Sequence, residues 1–186
     1  MIPAPTPANE LQRLAALLRL RLLDCVPDSN FEAITQCVAL ATGAPIALIS
    51  LVDAERQWFM CRVGLDARET PRDISFCGHA IMADKPLIVP DAHRDARFAD
   101  NPLVLGPPYV RAYLGVPLIT TEGHALGTLC AIDSKPKYWT PNETSVVMNL
   151  ASVVLALIHA RALRTELGAL FEDCASLCAS RQTQAA

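Results

Sequence analysis

The 186-residue sequence has few aromatic residues, only eight glycines and no excess of basic charge. Its net charge is −3 at pH 7, without the clustered basic surface by which proteins bind nucleic acids. The first nine residues include three prolines and lack the basic and apolar regions of a signal peptide. The longest apolar run, residues 150–158, is shorter than the roughly 20 residues that span a bilayer. These absences predict a cytoplasmic protein that binds neither nucleic acid nor membrane.

The sequence has seven cysteines but no Cys-x-x-Cys pair, a spacing found in many zinc and dithiol sites. The two closest are Cys174 and Cys178, four positions apart. A chain of this length can bury a hydrophobic core without disulfides, and 52% of its residues are hydrophobic. These features predict one globular domain with reduced thiols.

Helical periodicity indicates two helices in the first quarter of the chain. The first begins near Asn9 and ends before Pro27, and we expect its apolar stripe to be buried with Arg13 off that face. The residues of this stripe are Leu11, Leu14, Ala15, Leu18 and Leu22. The second helix begins with a capping box at residues 29–32 and ends at Gly43.

Five short segments predict β-strands, because they are apolar throughout or alternate between apolar and polar residues. They are residues 45–53, 57–63, 86–90, 110–120 and 125–133. In the second strand, alternation predicts that Phe59 and Cys61 share one face while Trp58 and Met60 share the other. In the fourth, Arg111 and Tyr113 lie opposite a fully apolar face, where they are available to a ligand.

Two neighbouring segments carry most of the chemically versatile residues. Residues 75–81, Ser-Phe-Cys-Gly-His-Ala-Ile, place a thiol and an imidazole two positions apart at Cys77 and His79. Residues 91–109 form a long irregular segment with three prolines and the charged residues Asp91, Arg97 and Asp100. Because long loops inside compact domains are often functional, we expect a binding site here.

The C-terminal part of the chain predicts one long helix. It begins with a capping box at residues 140–143 and continues past Leu170. Apolar residues near its end repeat at the 4-3-4-3 spacing of a coiled-coil seam. They are Leu163, Leu167, Leu170, Cys174 and Leu177. This seam predicts a homodimer through the terminal helices.

Seven segments, in this order along the chain, resemble motifs of the GAF domain family. They are residues 45–53 (Pro-Ile-Ala-Leu-Ile-Ser-Leu-Val-Asp), 56–59 (Arg-Gln-Trp-Phe), 69–72 (Glu-Thr-Pro-Arg), 75–81, 97–103 (Arg-Phe-Ala-Asp-Asn-Pro-Leu), 106–108 (Gly-Pro-Pro) and 126–133 (Leu-Gly-Thr-Leu-Cys-Ala-Ile-Asp). The resemblance covers about residues 9–165. It implies an α+β fold (α/β in the broad sense), with an antiparallel sheet of five or six strands. The N- and C-terminal helices would pack on one face of this sheet, and a ligand pocket would lie on the other.

The N-terminal prolines predict a flexible lead at residues 1–8, the resemblance implies a GAF domain at 9–165, and the long helix predicts a helical extension at 166–186. The domain would act as a sensory module in signal transduction, holding a small molecule between the sheet and the segments 75–81 and 91–109. It would pass a signal to a protein partner. Candidate ligand-binding residues are Trp58, Cys77, His79, Asp91, Arg97, Asp100, Arg111, Tyr113 and Cys130. For the charged residues, bracing of the loop by ion pairs such as Arg97–Asp100 is an open alternative. No residue is assigned a catalytic or metal-binding role, and no cofactor is required.

Three further interpretations depend on the same residues. A thiol-based redox switch or a small redox enzyme would use Cys77, with Cys130 as its partner. The GAF branch of free methionine-(R)-sulfoxide reductases has cysteines where Cys61 and Cys77 stand, but residues 91–109 lack the third, catalytic thiol. A scaffold without any ligand would act through the terminal helices alone.

Two cofactor sites are disfavoured by the spacing of residues 77–79. Attachment of a bilin is disfavoured because Gly78 separates Cys77 from His79, whereas photoreceptor GAF domains have the two adjacent. A metal site is disfavoured because side chains two positions apart on a helix point to different sides.

Overall fold

The computed structural model describes residues 1–26 and 29–184, with side chains through Phe171. The chain divides into two units, Met1–Leu155 and Ala156–Ala186, and the second unit continues the last helix, α5 (Pro141–Gln184). The first unit contains a six-stranded sheet and several helices. The helices are α1 (Glu10–Arg19), α2 (Ser29–Thr42), α3 (Phe76–Ala80), α4 (Pro102–Leu105) and the 3₁₀ turn Ala92–Arg94. The strands are β1 (Ile46–Val52), β2 (Arg56–Val63), β3 (Glu69–Pro71), β4 (Leu87–Val89), β5 (Ala112–Ile119) and β6 (Ala125–Asp133).

The sheet is antiparallel throughout, in the order β3-β2-β1-β6-β5-β4. Every residue of β1 is buried, because this strand lies inside the sheet and is covered on both faces. Helix α2 packs against β1, β2 and β6, and α3 packs against β1, β5 and β6. This arrangement confirms the predicted α+β fold. Strand β3 was not predicted, because it has only three residues and lies in a stretch rich in turn residues.

Strand β2 has a β-bulge at Met60, so its residues do not alternate between the two faces of the sheet as predicted. Phe59 pairs with Ser50 of β1, but Cys61 pairs with Ile49, so one extra residue lies between the two pairs. Since successive residues of β1 face opposite sides, Phe59 and Cys61 also face opposite sides. The prediction that they share a face was wrong, because a bulge cannot be recognised from alternation alone.

Helix α1 buries a different face from the one that its leucines predicted. Leu11 and Leu18 are exposed, whereas Arg13, Ala16 and Leu17 are buried. The guanidinium of Arg13 donates to the backbone carbonyls of Val52, at 2.6 Å, and Ala125, at 3.3 Å. It also pairs with Glu10 through two hydrogen bonds of 2.8 Å. The helix ends at Arg19, earlier than the predicted end before Pro27.

Helix α2 follows the sequence-based prediction closely. Phe31, Ile34 and Val38 are buried, and the helix ends just before Gly43, whose φ of +61° is the left-handed conformation that glycine adopts readily. Ala41 is exposed. Ser29 is the first helical residue rather than the cap.

Helix α5 begins at the predicted capping box. The Glu143 backbone N–H donates to the Thr140 hydroxyl at 3.2 Å, and the Glu143 carboxylate accepts from the Thr140 N–H at 2.7 Å. Val147, Ala151 and Val154 are buried, as expected for a helix that packs on its domain. By length and composition alone, Pro141–Phe171 also passes the test for a membrane-spanning helix, a test that core helices pass as well.

The predicted coiled-coil seam falls in the second unit. Leu163, Leu167 and Leu170 are exposed in the single chain. The side chains of Cys174 and Leu177 lie outside the described part of the structure.

Candidate functional site

A cavity of about 350 Å³ lies on the α3 side of the sheet. This volume falls within the range of small-molecule sites. Strands β1, β2, β5 and β6 form its floor, and residues 64–67, α3, α4 and residues 107–110 form its walls. Most of its lining is apolar, including Leu48, Phe59, Phe76, Leu103, Val110 and Ile132.

Only a few polar side chains line this cavity. They are Gln57, Thr70, Cys77 and Tyr113, together with Asp66, which is exposed. Asp66 is the only Asp, Glu, Lys or Arg among the described residues that line it. The interior therefore offers hydrogen-bonding groups but no fixed positive charge.

The start of helix α3 directs Phe76 and Cys77 towards the sheet. The Ser75 hydroxyl caps the helix by accepting from the Gly78 N–H at 2.9 Å. The Phe76 ring stacks on Phe98 with 3.9 Å between the ring centroids. These contacts hold Cys77 against the floor of the cavity, where it is 1% exposed.

Tyr113 of strand β5 lies along the cavity floor because Gly115 leaves room for it. A Cβ atom at Gly115 would be only 2.1 Å from the Tyr113 hydroxyl oxygen. The phenol is fully buried and donates to the sulfur of Cys77 at 3.4 Å. Burial, together with the nearby thiols, raises the pKa of Tyr113 well above its usual value, so the phenol remains protonated as a donor.

Several donors converge on the sulfur of Cys77. The Thr128 hydroxyl donates to it at 3.1 Å. Complete burial by itself raises the pKa of the Cys77 thiol, but hydrogen bonds from the Cys130 thiol and from the hydroxyls of Thr128 and Tyr113 outweigh burial. Together they lower the pKa of Cys77 to about 6, from an ordinary value of 9.0.

Cys130 is the second thiol of this cluster. It lies on β6, is fully buried and is close enough to hydrogen-bond Cys77. That hydrogen bond, burial and the charge of Cys77 raise the pKa of Cys130 well above its ordinary value. The two thiols thus hold one proton between them when Cys77 is ionised.

A second set of hydrogen-bonding side chains lies at strands β2 and β3. The Gln57 amide donates to the Thr70 hydroxyl at 3.0 Å and accepts from the Ser50 hydroxyl at 3.4 Å. The sequence analysis did not select Gln57, Thr70, Ser50 or Thr128. The alternation of β2 about Phe59 could have indicated Gln57, because both residues lie on the same face.

The charged candidates from residues 91–111 do not line the cavity. Arg111 pairs with Asp91 at 3.0 Å. Arg97 pairs with Asp95 through two hydrogen bonds of 2.9 and 2.6 Å, rather than with Asp100. These ion pairs brace the loop, which is the alternative that the sequence left open.

The other charged candidates contact the N-terminal segment. Asp100 pairs with the N-terminal ammonium of Met1. The Nε2 atom of His79 lies 3.1 Å from the Ile2 carbonyl oxygen, and burial lowers the pKa of His79. The Ala4 backbone N–H donates to the Asp73 carbonyl at 2.9 Å. Residues 1–8, expected to form a flexible lead, thus make specific contacts with the loops around α3.

Trp58 and Cys61 lie away from this cavity. Trp58 pairs with Leu51 and lines a different cavity beside Cys25. Cys61 lines a third cavity next to Thr35 of α2. Cys61 and Cys77 are therefore on opposite sides of the sheet. Among the described residues, no group of three or more His, Cys, Asp or Glu side chains is arranged to hold a metal ion.

Comparison with known proteins agrees with this geometry. Residues 27–179 match the family model of the GAF domain. The chain is 42% identical over 160 residues to a cyclic di-GMP phosphodiesterase of Pseudomonas aeruginosa. The match covers 86% of this chain but only 27% of that protein, so the chain spans about a quarter of its relative's length.

Solved GAF-type structures share the fold at low sequence identity. The GAF domain of an Acinetobacter phosphoenolpyruvate-protein phosphotransferase superimposes with a TM-score of 0.62 and 20% identity, over 84% of this chain and 97% of that one. A type II free methionine-R-sulfoxide reductase from Thermoplasma acidophilum gives a TM-score of 0.58 and 14% identity, over 71% and 92% respectively. On the strength of the family match and this shared fold, the chain belongs to the GAF domain family.

Proposed function

We propose that this domain is a sensory module that binds a small, uncharged and largely apolar molecule in the cavity above strands β1, β2, β5 and β6. The observation that carries this proposal is the lining of the cavity, which is apolar apart from a few hydrogen-bonding groups. Apolar walls supply affinity, while the polar groups of Gln57, Cys77 and Tyr113 orient the molecule.

The absence of Lys and Arg from the described lining argues against an anionic ligand. Phosphates bind where arginine, lysine or several backbone N–H groups neutralise their charge. Moving a phosphate into an apolar cavity without such groups costs free energy that its remaining contacts would not recover. We therefore expect cyclic nucleotides not to bind in this cavity.

A signalling role is supported by the relative from Pseudomonas aeruginosa, in which a domain like this one forms part of a cyclic di-GMP phosphodiesterase. In our proposal the ligand biases the domain between two states, and a protein partner reads the difference. Such a signal requires that the ligand bind one state more tightly than the other.

We further propose that the domain works in the cytoplasm as a homodimer through its terminal helices. Leu163, Leu167 and Leu170 form an exposed apolar stripe at heptad spacing, which a second copy of the helix would bury. Reduction of free methionine sulfoxide is not favoured, because Cys61 and Cys77 are on opposite sides of the sheet.

The proposal is tested with N-phenyl-1-naphthylamine, an uncharged apolar fluorophore. We expect saturable binding at one site per chain. Leu103→Trp, which fills the cavity, should abolish this binding. The matched control is Leu105→Trp, on the same short helix but exposed, which should bind like the wild type. Equal binding by both variants, or no binding by the wild type, would refute the proposal.

A further inference from the structure

We propose that Cys77 is a reactive thiolate that reduces small uncharged hydroperoxides entering the cavity, with Cys130 as its resolving thiol. This inference rests on the proposed function only in requiring that small apolar molecules reach the cavity. It adds a chemical activity and a ligand class that simple binding does not require.

The geometry around the sulfur is that of a stabilised anion. The hydroxyls of Thr128 and Tyr113 donate to it at 3.1 and 3.4 Å, and the Cys130 thiol lies within hydrogen-bonding reach. A neutral thiol is a weak acceptor that does not need so many donors. Converging hydrogen bonds of this kind favour the thiolate, which is the nucleophilic form of cysteine.

The cavity connects this buried sulfur with solvent. Cys77 lines the cavity from α3, in its wall, and the lining residues Asp66 and Pro107 are exposed to solvent. The apolar walls favour an organic hydroperoxide over a charged oxidant. Cys77 itself is only 1% exposed, so a small peroxide reaches its sulfur more easily than a large thiol does.

The reaction balances with the two thiols as the only reductants. The Cys77 thiolate attacks the terminal oxygen of the hydroperoxide, so that an S–O bond forms and the O–O bond breaks. The alkoxide takes a proton and leaves as an alcohol. The product at Cys77 is a sulfenic acid. The sulfur of Cys130 then attacks the sulfur of this group, so that an S–S bond forms and the S–O bond breaks. The hydroxide takes the Cys130 proton and leaves as water. The two thiols together transfer two electrons to the peroxide. An external dithiol then reduces the disulfide back to two thiols.

A disulfide between Cys77 and Cys130 would change the wall of the cavity. Cys77 belongs to α3, which forms part of the cavity wall, and Cys130 belongs to the floor strand β6. The bond would fix wall to floor and remove the hydrogen bonds that Thr128 and Tyr113 now make to the thiolate. Oxidation thus gives the module two discrete states.

The test treats the full chain with one equivalent of tert-butyl hydroperoxide at pH 7 and then blocks remaining thiols with N-ethylmaleimide before peptide mass spectrometry. We expect a peptide pair crosslinked through Cys77 and Cys130 that dithiothreitol separates. Cys77→Ser should abolish the crosslink, and Cys37→Ser, at an exposed thiol, should leave it unchanged. In Cys130→Ser, dimedone should label Cys77 as the sulfenic acid.

Thr128→Val provides a second readout that does not depend on the folding of a cysteine variant. Losing one donor should raise the pKa of Cys77 and slow its oxidation several-fold at pH 5, because below the pKa of about 6 each further pKa unit lowers the thiolate fraction up to about tenfold. The inference is overturned if Cys77 is recovered unoxidised while Cys37 is consumed, or if Thr128→Val reacts at the wild-type rate at pH 5. An unreactive Cys77 in a chain that still binds N-phenyl-1-naphthylamine would overturn this inference and leave the proposed function intact.

Discussion

The hydroxyl of Thr128 donates a hydrogen bond to the sulfur of Cys77 across 3.1 Å. This contact joins strand β6 to helix α3 through two residues that are 51 positions apart in the sequence. Both side chains are buried. A buried donor left without its acceptor costs about 1–3 kcal/mol. Any ligand or oxidant that changes the sulfur therefore changes how firmly α3 is held to the floor of the cavity.

The ionisation of Cys77 should be visible in its rate of alkylation. With wild-type protein, labelling by a small reagent such as iodoacetamide should rise through a midpoint near the pKa of about 6. In Thr128→Val the midpoint should move to higher pH, because one hydrogen bond to the thiolate is lost. The exposed Cys37 provides the internal reference. A wild-type midpoint at or above 9.0 would contradict the arrangement of donors described for this sulfur.

Small substitutions at Tyr113 and at Gly115 should both destabilise the domain, the first by removing a group and the second by adding one. Tyr113→Phe keeps the ring and removes its hydroxyl, so we expect a loss of about 1 kcal/mol in the free energy of unfolding. Gly115→Ala adds a methyl group where the Tyr113 hydroxyl lies, and overpacking of this kind costs about 1–3 kcal/mol. Urea denaturation measures both.

Combining the two substitutions separates overpacking from other causes. A methyl group introduced at position 115 would mainly contact the phenolic oxygen of Tyr113 and the ring carbons next to it. The double variant should therefore be less destabilised than the sum of the two single variants. Strict additivity would show that Gly115 matters for a reason other than its contact with Tyr113.

Stability in acid should depend on Glu10. Burial alone would raise the pKa of this carboxyl, but hydrogen bonds from Arg13 and Arg72 lower it to about 2, from 4.5. Because the folded-state pKa is the lower one, the contribution of Glu10 is complete above about pH 4.5 and is lost as the pH falls towards about 2. Glu10→Gln should cost on the order of 3 kcal/mol at pH 7, since Arg13 then lies buried without a carboxylate.

The pH profile distinguishes this ion pair from a general loss of packing. Between pH 5 and pH 2, Glu10→Gln should lose less stability than the wild type, so the two curves converge in acid. Glu32→Gln, at an exposed position on α2, serves as the control and should follow the wild-type curve. Parallel curves for Glu10→Gln and the wild type would contradict the proposed role of the carboxylate.

The heptad leucines should control the oligomeric state. A double variant, Leu163→Glu and Leu167→Glu, places charges in the seam, and we expect it to be monomeric in analytical ultracentrifugation where the wild type is dimeric. Glu166→Gln, next to the seam, should remain a dimer. A monomeric wild-type chain at micromolar concentration would refute dimerisation through this seam.

The sequence predicted the sheet well because its strands are buried and their patterns are strong. Strand β6 was predicted at its observed bounds, Ala125–Asp133. The α5 capping box was also predicted correctly, since Thr140 and Glu143 interact locally. The short elements β3 and α4 were missed, because three or four residues carry too little periodicity.

The errors in the sequence analysis came from contacts between distant residues. Arg13 was predicted to lie off the buried face, since nothing in its helix shows that Glu10 and the carbonyls of Val52 and Ala125 surround it. The charged candidates of residues 91–111 were available in principle to a ligand. Their ion pairs with neighbours such as Asp95 become apparent only in the fold.

The central claim, that a small uncharged molecule binds in the cavity beside Cys77 and Tyr113, is tested most directly by methyl NMR. The protein is labelled at Leu, Val and Ile methyl groups and titrated with N-phenyl-1-naphthylamine. The account predicts that the perturbed methyl groups are those of the cavity lining, Leu48, Leu103, Val110 and Ile132. Perturbations confined to the exposed side chains Val153, Leu163 and Leu167 would contradict it.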